Sequence, residues 1–533
     1  MTLSRRKFNQ RAIQFLMGAS IPPILQGCEV ETSARHLGAS TDILETVGGK
    51  FGKLGKKLTR ETGLLVPTYL GNDQRRFYGR GTPQGLNFID KFYLGSGKTW
   101  LGGFSTWDGA GWTGQPTIVR DGGKTYLAIG AFDHHLRKID LETNKEVWRY
   151  KFDDVIKGTA TIYIDPTASE ENQLVILQGS RRGNQNDLFT ANPVTSFRAI
   201  SFRTGRELWK LNIRKTDSYS RDNDSSAIDL GNGILFNAGE NSIGYFLNSS
   251  TKAASVKDGV KQPEILSEVQ LYEAADIRRH GGNLVAEASP SRLGDTIFIA
   301  AGAGHIYGIS LKSRQIIWDF FTGSDMDGTI AISKDEKLFC AIEKQYIPGN
   351  GGIIKLNPSR KEEDSVEWFL PTGNRNFASW EGGIIGSAAL NDEYRLTEPA
   401  LFATNSIDGN LYIGSQTKIT GQKVTGHLGK RKYDTPLILF KKRIGASIST
   451  PIFTDGNKLI AAGYDGVYMF DLNFEPTNAD DPQGVMNDWG EFYRLKVEQS
   501  GRFLPGISFE ATPVVWEGKV YICARDGWMY ALG

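Results

Sequence analysis

The sequence predicts an all-β fold, a single β-propeller of about eight four-stranded blades, with seven as the alternative count. Three observations predict it. From about residue 114 one pattern recurs to the end of the chain: a Ser/Thr-containing start, a β-branched strand, a turn, an apolar strand, a Gly or polar turn, and a further strand that often carries Trp. Glycine outnumbers proline 62 to 19, the composition of a folded chain rich in turns and poor in helix. The last copy stops at Gly533 one strand short, while an alternating segment from Asn87 to Leu94 lies upstream of the first copy.

The clearest copy is TYLAIGAFDHHLRKIDLETNKEVWRYKF, residues 125 to 152, in which two alternating strands flank Asp133-His134-His135 and a turn at Thr143-Asn144 leads to a third strand bearing Trp148. FRAISFRTGRELWKLNI (197 to 213) and IYGISLKSRQIIWDFF (306 to 321) repeat it, and more degenerate copies follow. Each copy has an apolar sheet face that it cannot bury alone, so copies stack, and radial stacking leaves only short sheet edges. Blade starts fall at about residues 115, 159, 224, 287, 327, 385, 448 and 510. Asn87 to Leu94 is then the strand that completes the last blade. Trp148, Trp209, Trp318 and Trp368 read as blade-packing residues.

The formal net charge is +2, from 62 basic and 60 acidic residues, so no overall field draws the chain to nucleic acid. Of three cysteines, Cys340 and Cys523 lie in apolar strands of different blades. A ring holds such strands farther apart than the roughly 7 Å Cα limit of a disulfide, so two buried free thiols are expected.

The N terminus reads as an address. Ser-Arg-Arg-Lys-Phe-Asn at residues 4 to 9 resembles a twin-arginine export signal, with Arg5 and Arg6 as its pair. The apolar stretch from Ala12 to Leu25 that follows is shorter than the roughly 20 residues a membrane-spanning helix needs. Leu25-Gln26-Gly27-Cys28 resembles a lipobox, with Gln26 departing from the usual small or aliphatic residue. The organisation expected is a signal peptide over 1–27, a lipid-anchored tether and N-terminal extension over 28–85, flexible from 29 to 60, and the propeller over 86–533. Acyl chains on Cys28, at about 0.8 kcal/mol per buried CH₂, would hold the mature protein to the periplasmic or extracellular side of a membrane.

Candidate chemistry sits at one mouth of the central channel, where the blade starts and the turns between second and third strands converge. The starts, aligned on their Ser/Thr step, contribute Gln115, Thr159, Asp224, Glu287, Asp327, Ile385, Ile448 and Glu510, with Asp222 and Asp325 two residues earlier on two blades. The turns add Asp133, His134, His135, Arg181, Arg182, Glu240, Asn241, His305, Asp465, Arg525 and Asp526, and Glu381 in SWEGG joins the acidic set. Carboxylates crowded into a dry channel must protonate, pair with arginine or bind a hard cation. Arg221, Arg278, Arg279 and Arg525 are the expected arginine partners; calcium held by Asp224, Glu287 and Asp327 is the cation alternative. His134 and His135 are adjacent on a strand, so they share an ion only where the turn re-aims them. Trp107, Trp112 and Trp380 lie in Gly-rich segments outside the Trp strands, either capping the channel or offering an aromatic platform to a planar cofactor or sugar.

Asp526-Gly527-Trp528-Met529-Tyr530-Ala531-Leu532 and Thr204-Gly205-Arg206-Glu207-Leu208-Trp209 resemble the repeat of the pyrroloquinoline-quinone (quinoprotein) propeller family, and the resemblance covers most of residues 114 to 533. It implies a propeller but not one activity, because the family mixes dehydrogenases with binding and assembly proteins, among them lipoproteins that assist outer-membrane assembly. In alcohol-oxidising members the resemblance implies a quinone between a Trp and a disulfide of adjacent cysteines, calcium beneath it and an Asp as base. This sequence has no adjacent cysteine pair and no CxxCH haem motif. The expectation is a membrane-anchored binding or assembly module with an envelope protein partner; a dehydrogenase of alcohols or sugars using pyrroloquinoline quinone and calcium is the alternative.

Overall fold

The computed structural model describes residues 62–186, 190–373 and 381–533. Arg5, Arg6, Cys28, the tether expected at 29 to 60, and Trp380 lie outside the described residues. Eight antiparallel sheets stand around one axis, and each follows one of the eight starts read from the repeat. Blade 1 runs Thr117–Asp121, Lys124–Gly130, His135–Asp140, Lys145–Lys151. Blades 2 to 7 open with innermost strands at Thr161–Ile164, Ile228–Gly231, Ser291–Leu293, Ala331–Ile332, Ala389–Leu390 and Ile452–Thr454. Blade 8 contains Val514–Trp516, Lys519–Cys523 and Trp528–Leu532, and its missing outer strand is Phe88–Tyr93. That strand pairs antiparallel with the last one, Phe92 opposite Met529 and Tyr93 opposite Trp528, so the expected closure is what joins the chain's two ends.

The core lies between blades. Phe339 and Trp368 of blade 5 pack against Phe402 and Tyr412 of blade 6. The Trp strands also tie neighbours by hydrogen bonds: Trp148 Nε1 donates to the Phe202 carbonyl at 2.9 Å, Trp318 Nε1 to Arg360 at 3.1 Å and Trp368 Nε1 to Gln416 at 3.1 Å. Each bond runs from one blade to the next. Cys340 and Cys523 are both free and buried, in second strands of blades 5 and 8.

The Ser/Thr step of the repeat forms a belt around the axis. The backbone N–H of Ser226 donates to Ser289 Oγ, that of Ser289 to Thr329 Oγ1, that of Thr329 to Ser387 Oγ and that of Ser387 to Thr450 Oγ1, all at 2.8 to 2.9 Å. Each hydroxyl therefore satisfies a buried donor of the preceding blade. Ser387→Ala leaves the Thr329 N–H without its acceptor, and a loss of about 1–3 kcal/mol is expected in denaturant melts.

Residues 62–80, expected within an N-terminal extension outside a propeller that starts at residue 86, are instead part of its body. Gly63–Val66 pairs with the innermost strand of blade 1 and Gly79–Arg80 with that of blade 8. The chain between them plugs the axis and touches the remaining blades in turn. Ile162 N–H donates to the Pro67 carbonyl, Arg292 N–H to Asp73, Ile332 N–H to Gln74 and Leu390 N–H to Tyr78 Oη. Tyr69 Oη meets Thr450 Oγ1 at 2.9 Å. Arg75, fully buried, donates to the carbonyls of Pro290, Ser226 and Tyr69. A propeller axis is ringed by inward backbone groups, and this segment supplies the partners that would otherwise be water. No described helix is long and apolar enough to cross a membrane.

Candidate functional site

At the mouth opposite the plug, the starts of blades 3 to 5 and the turns of blades 3 and 5 bring six buried or nearly buried carboxyl groups together: Asp224, Glu240, Glu287, Asp325, Asp327 and Glu343. They form two groups. In the first, one oxygen each of Asp224, Glu240 and Glu287 lie within 4.8 Å of one another, and Lys157 places its ammonium among them. Lys157 Nζ is bonded to Asp224 and stands 3.6 Å from Glu240 Oε1 and 4.0 Å from Glu287 Oε2. It also lies 5.3 Å from the Trp112 ring centroid. Burial opposes the charge on Lys157, yet Asp224, Glu287 and Glu240 hold it well above the ordinary ammonium range.

The carboxyls move the other way. Burial, reinforced by like-charged neighbours, pushes Asp224 up to about 6 and Glu287 up to about 8 despite Lys157, and holds Glu240 well above the usual range. In the second group burial raises Asp325 to about 7 and puts Asp327 and Glu343 well above. Asp222 behaves differently. Although burial works against its charge, Arg181 and Arg182 hold it well below the usual range, with Arg181 Nε at 2.7 Å and Arg182 Nη1 at 3.3 Å.

The remaining expected residues fall elsewhere. Glu510 accepts from Arg525 Nη1 at 2.7 Å and from Tyr464 Oη at 2.8 Å, an ion pair across the mouth from the acid groups. Glu381 is exposed. Of the expected arginine partners only Arg525 neutralises a mouth carboxylate. Arg221 donates to the Thr190 carbonyl, Arg278 to Ala274, and Arg279 pairs with Asp276 on its own helix. His134 Nε2 meets the Lys98 carbonyl and His135 Nδ1 meets Asp133, so the turn does not aim both rings at one point. The aromatic platform is corrected too. Trp107 is buried edge-on to Phe132 with Arg181 and Arg525 each 5.9 Å from its ring. Trp112 packs on Ile385, Ile407 and Ile448. Trp107 offers no free face, and Trp112 is half-buried.

Lys157 escaped the sequence reading although it stands two residues before Thr159, the same offset that pointed to Asp222 and Asp325. Glu343 follows the second strand of blade 5 as Glu240 follows that of blade 3, and that correspondence would have found it.

The void on the axis does not accommodate a quinone. The void on the axis, lined by Tyr69, Trp112, Thr113, Asp327, Ile385, Gly386, Ser387 and Ile448, measures about 10 Å³, space for one water where a cofactor-sized ligand needs some 300 Å³ or more. Calcium, which takes six to eight oxygens, fits the Asp224–Glu240–Glu287 group only in place of Lys157. That group has Glu240 where the sequence reading had Asp327. No family model matches the chain, and no curated protein matches it. Among solved structures it is similar to BamB from Moraxella catarrhalis, with a TM-score of 0.47 and 13% identity over 84% of this chain and 97% of that one.

Proposed function

We propose that the chain is an exported, lipid-anchored propeller of the quinoprotein-like repeat type that serves as a binding or assembly module at the cell envelope, with a positively charged ligand received at its acidic mouth. The observation that carries this reading is the filled axis: residues 62–80 plug it from one side and Lys157, bound among carboxylates, closes it from the other. What is left for chemistry is a surface that recognises, with buried acceptors in excess of donors. The anchor rests on Arg5, Arg6 and Cys28 in the sequence.

Two measurements test it. The full chain should sediment with membranes and Cys28→Ala should release it. The purified mature protein should show no new absorption and no change in melting temperature with pyrroloquinoline quinone and calcium. A bound chromophore together with dye reduction by alcohols or sugars would overturn the reading in favour of a dehydrogenase.

A further inference from the structure

The second acid group, at the junction of blades 4 and 5, has no counterpart to Lys157. Among the described residues no basic side chain is ion-paired with Asp325, Asp327 or Glu343, whereas the first group and Asp222 each have theirs. Two amides line the same place. Asn283 Nδ2 and Gln345 Nε2 both donate to Asp325 Oδ2, at 2.6 and 2.9 Å. With Asp325 ionised that choice fixes how the amides face, because a carboxylate accepts and cannot donate. Their oxygens, Asn283 Oδ1 and Gln345 Oε1, are consequently buried with no donor. Glu343 is fully buried, and its close neighbours are the carboxyl and the backbone N–H of Asp327. Acceptors without donors, beside three acids without a cation among the described residues, form the complement of a positively charged group rich in N–H.

We propose that this cluster receives an alkylammonium group, clasped by Asp325, Asp327 and Glu343 and by the amide oxygens of Asn283 and Gln345. The proposal rests on the mouth being a binding site and not on the lipid anchor. Lys157, one acid group away, is the internal example of the same fit: an ammonium among three carboxyls beside an aromatic ring. A bare metal ion suits the second group less, since among the described residues the first group alone brings three ligand oxygens within 4.8 Å of one another. An ammonium reaches farther, through three N–H bonds of about 2.8 Å each. At the rim stands Tyr346, 42% exposed, held by a hydrogen bond from Asn283 and by the His280 ring 4.5 Å away. Its ring is placed to cover the alkyl stem while the charged head goes in.

Binding should also expel protons. Burial raises all three carboxyls above the usual range, and an arriving ammonium favours their ionised form. The probe is butylammonium, titrated calorimetrically into the mature protein at pH 7.5 in two buffers of different ionisation enthalpy. The expected result is binding whose apparent enthalpy differs between the buffers, reporting proton release. Glu343→Gln, which keeps the volume and removes an acid, should weaken it at least tenfold. Tyr346→Ala, at the half-open rim, should weaken it severalfold without touching the core. Glu475→Gln, on an exposed strand paired with Lys496, should leave it unaltered. The proposal is overturned by no binding of butylammonium, by equal binding to Glu343→Gln, or by calcium binding where the amine does not. Nα-acetyl-lysinamide distinguishes the sources. If it binds as butylammonium does, the ammonium is that of a partner's lysine; if only butylammonium binds, it is that of a small free amine. Either of these outcomes is independent of the membrane and quinone measurements.

Discussion

Lys157→Met should cost the propeller about 3–5 kcal/mol at pH 8, the size of effect seen when one partner of a buried ion pair is removed and the other is left uncompensated. The expectation follows from position. The Lys157 ammonium is the cation among the buried Asp224 and Glu240 and the nearly buried Glu287, and Met keeps its length while removing the charge. Without it, three carboxyls in one dry pocket must either repel or take up protons. Guanidinium melts at pH 8 and pH 5 measure the loss. It should shrink at pH 5, where protonated carboxyls no longer need the lysine, and a second change, Glu287→Gln, should restore part of the stability at pH 8. An equal loss at both pH values would mean that Lys157 acts through packing on Trp112 rather than through its charge.

The blades were legible because a propeller repeats its instructions. A Ser/Thr step before each innermost strand is required by the hydroxyl belt that links Ser226, Ser289, Thr329, Ser387 and Thr450, so it recurs and marks the eight starts. The Trp strands recur because Trp148, Trp318 and Trp368 each bridge to the next blade. The alternation of Asn87 to Leu94 was visible for a similar reason, since it must match the edge left open by Trp528–Leu532. The axial plug was not legible. Residues 66–80 follow no periodicity because they meet a different blade every one or two residues, and an irregular chain with buried backbone reads like an extension.

The mouth was half legible, for a different physical reason. Its carboxylates occupy repeat positions, so alignment found Asp224, Glu287, Asp325 and Asp327. Which of them are neutralised depends on side chains arriving from other blades. Arg181 and Arg182 of blade 2 reach Asp222, Lys157 reaches Asp224, and Arg525 stays within blade 8 on Glu510. Spacing along a strand carries no record of which long side chain crosses to which neighbour.

Stability should fall as pH rises from about 6.5 to 8.5, and Glu287→Gln should flatten that fall. Burial raises Glu287 to about 8, Asp325 to about 7 and Asp224 to about 6 in the folded state. Between the unfolded carboxyl value and these, the folded chain holds protons that the unfolded chain has already lost. Raising the pH through that interval therefore favours unfolding, by at most about 1.4 kcal/mol per pH unit for each group. Below about 6.5 the trend is opposed. His280 and His427 are buried, and burial lowers both to about 4, so the unfolded state takes up protons there first and stability is lost as the pH falls. Asp222, held ionised by Arg181 and Arg182 against its burial, adds a loss in acid below the unfolded carboxyl value. Lys157 is raised, so its contribution persists until the pH passes its unfolded value near 10.5 and does not shape this window. The expected profile is a decline of about 1–3 kcal/mol from pH 6.5 to pH 8.5, read by urea melts across the series. Glu287→Gln should gain stability at pH 8.5 and little at pH 5. A wild-type profile that rises to pH 8.5 would show that the mouth carboxyls are already ionised, with a cation other than Lys157 bound among them.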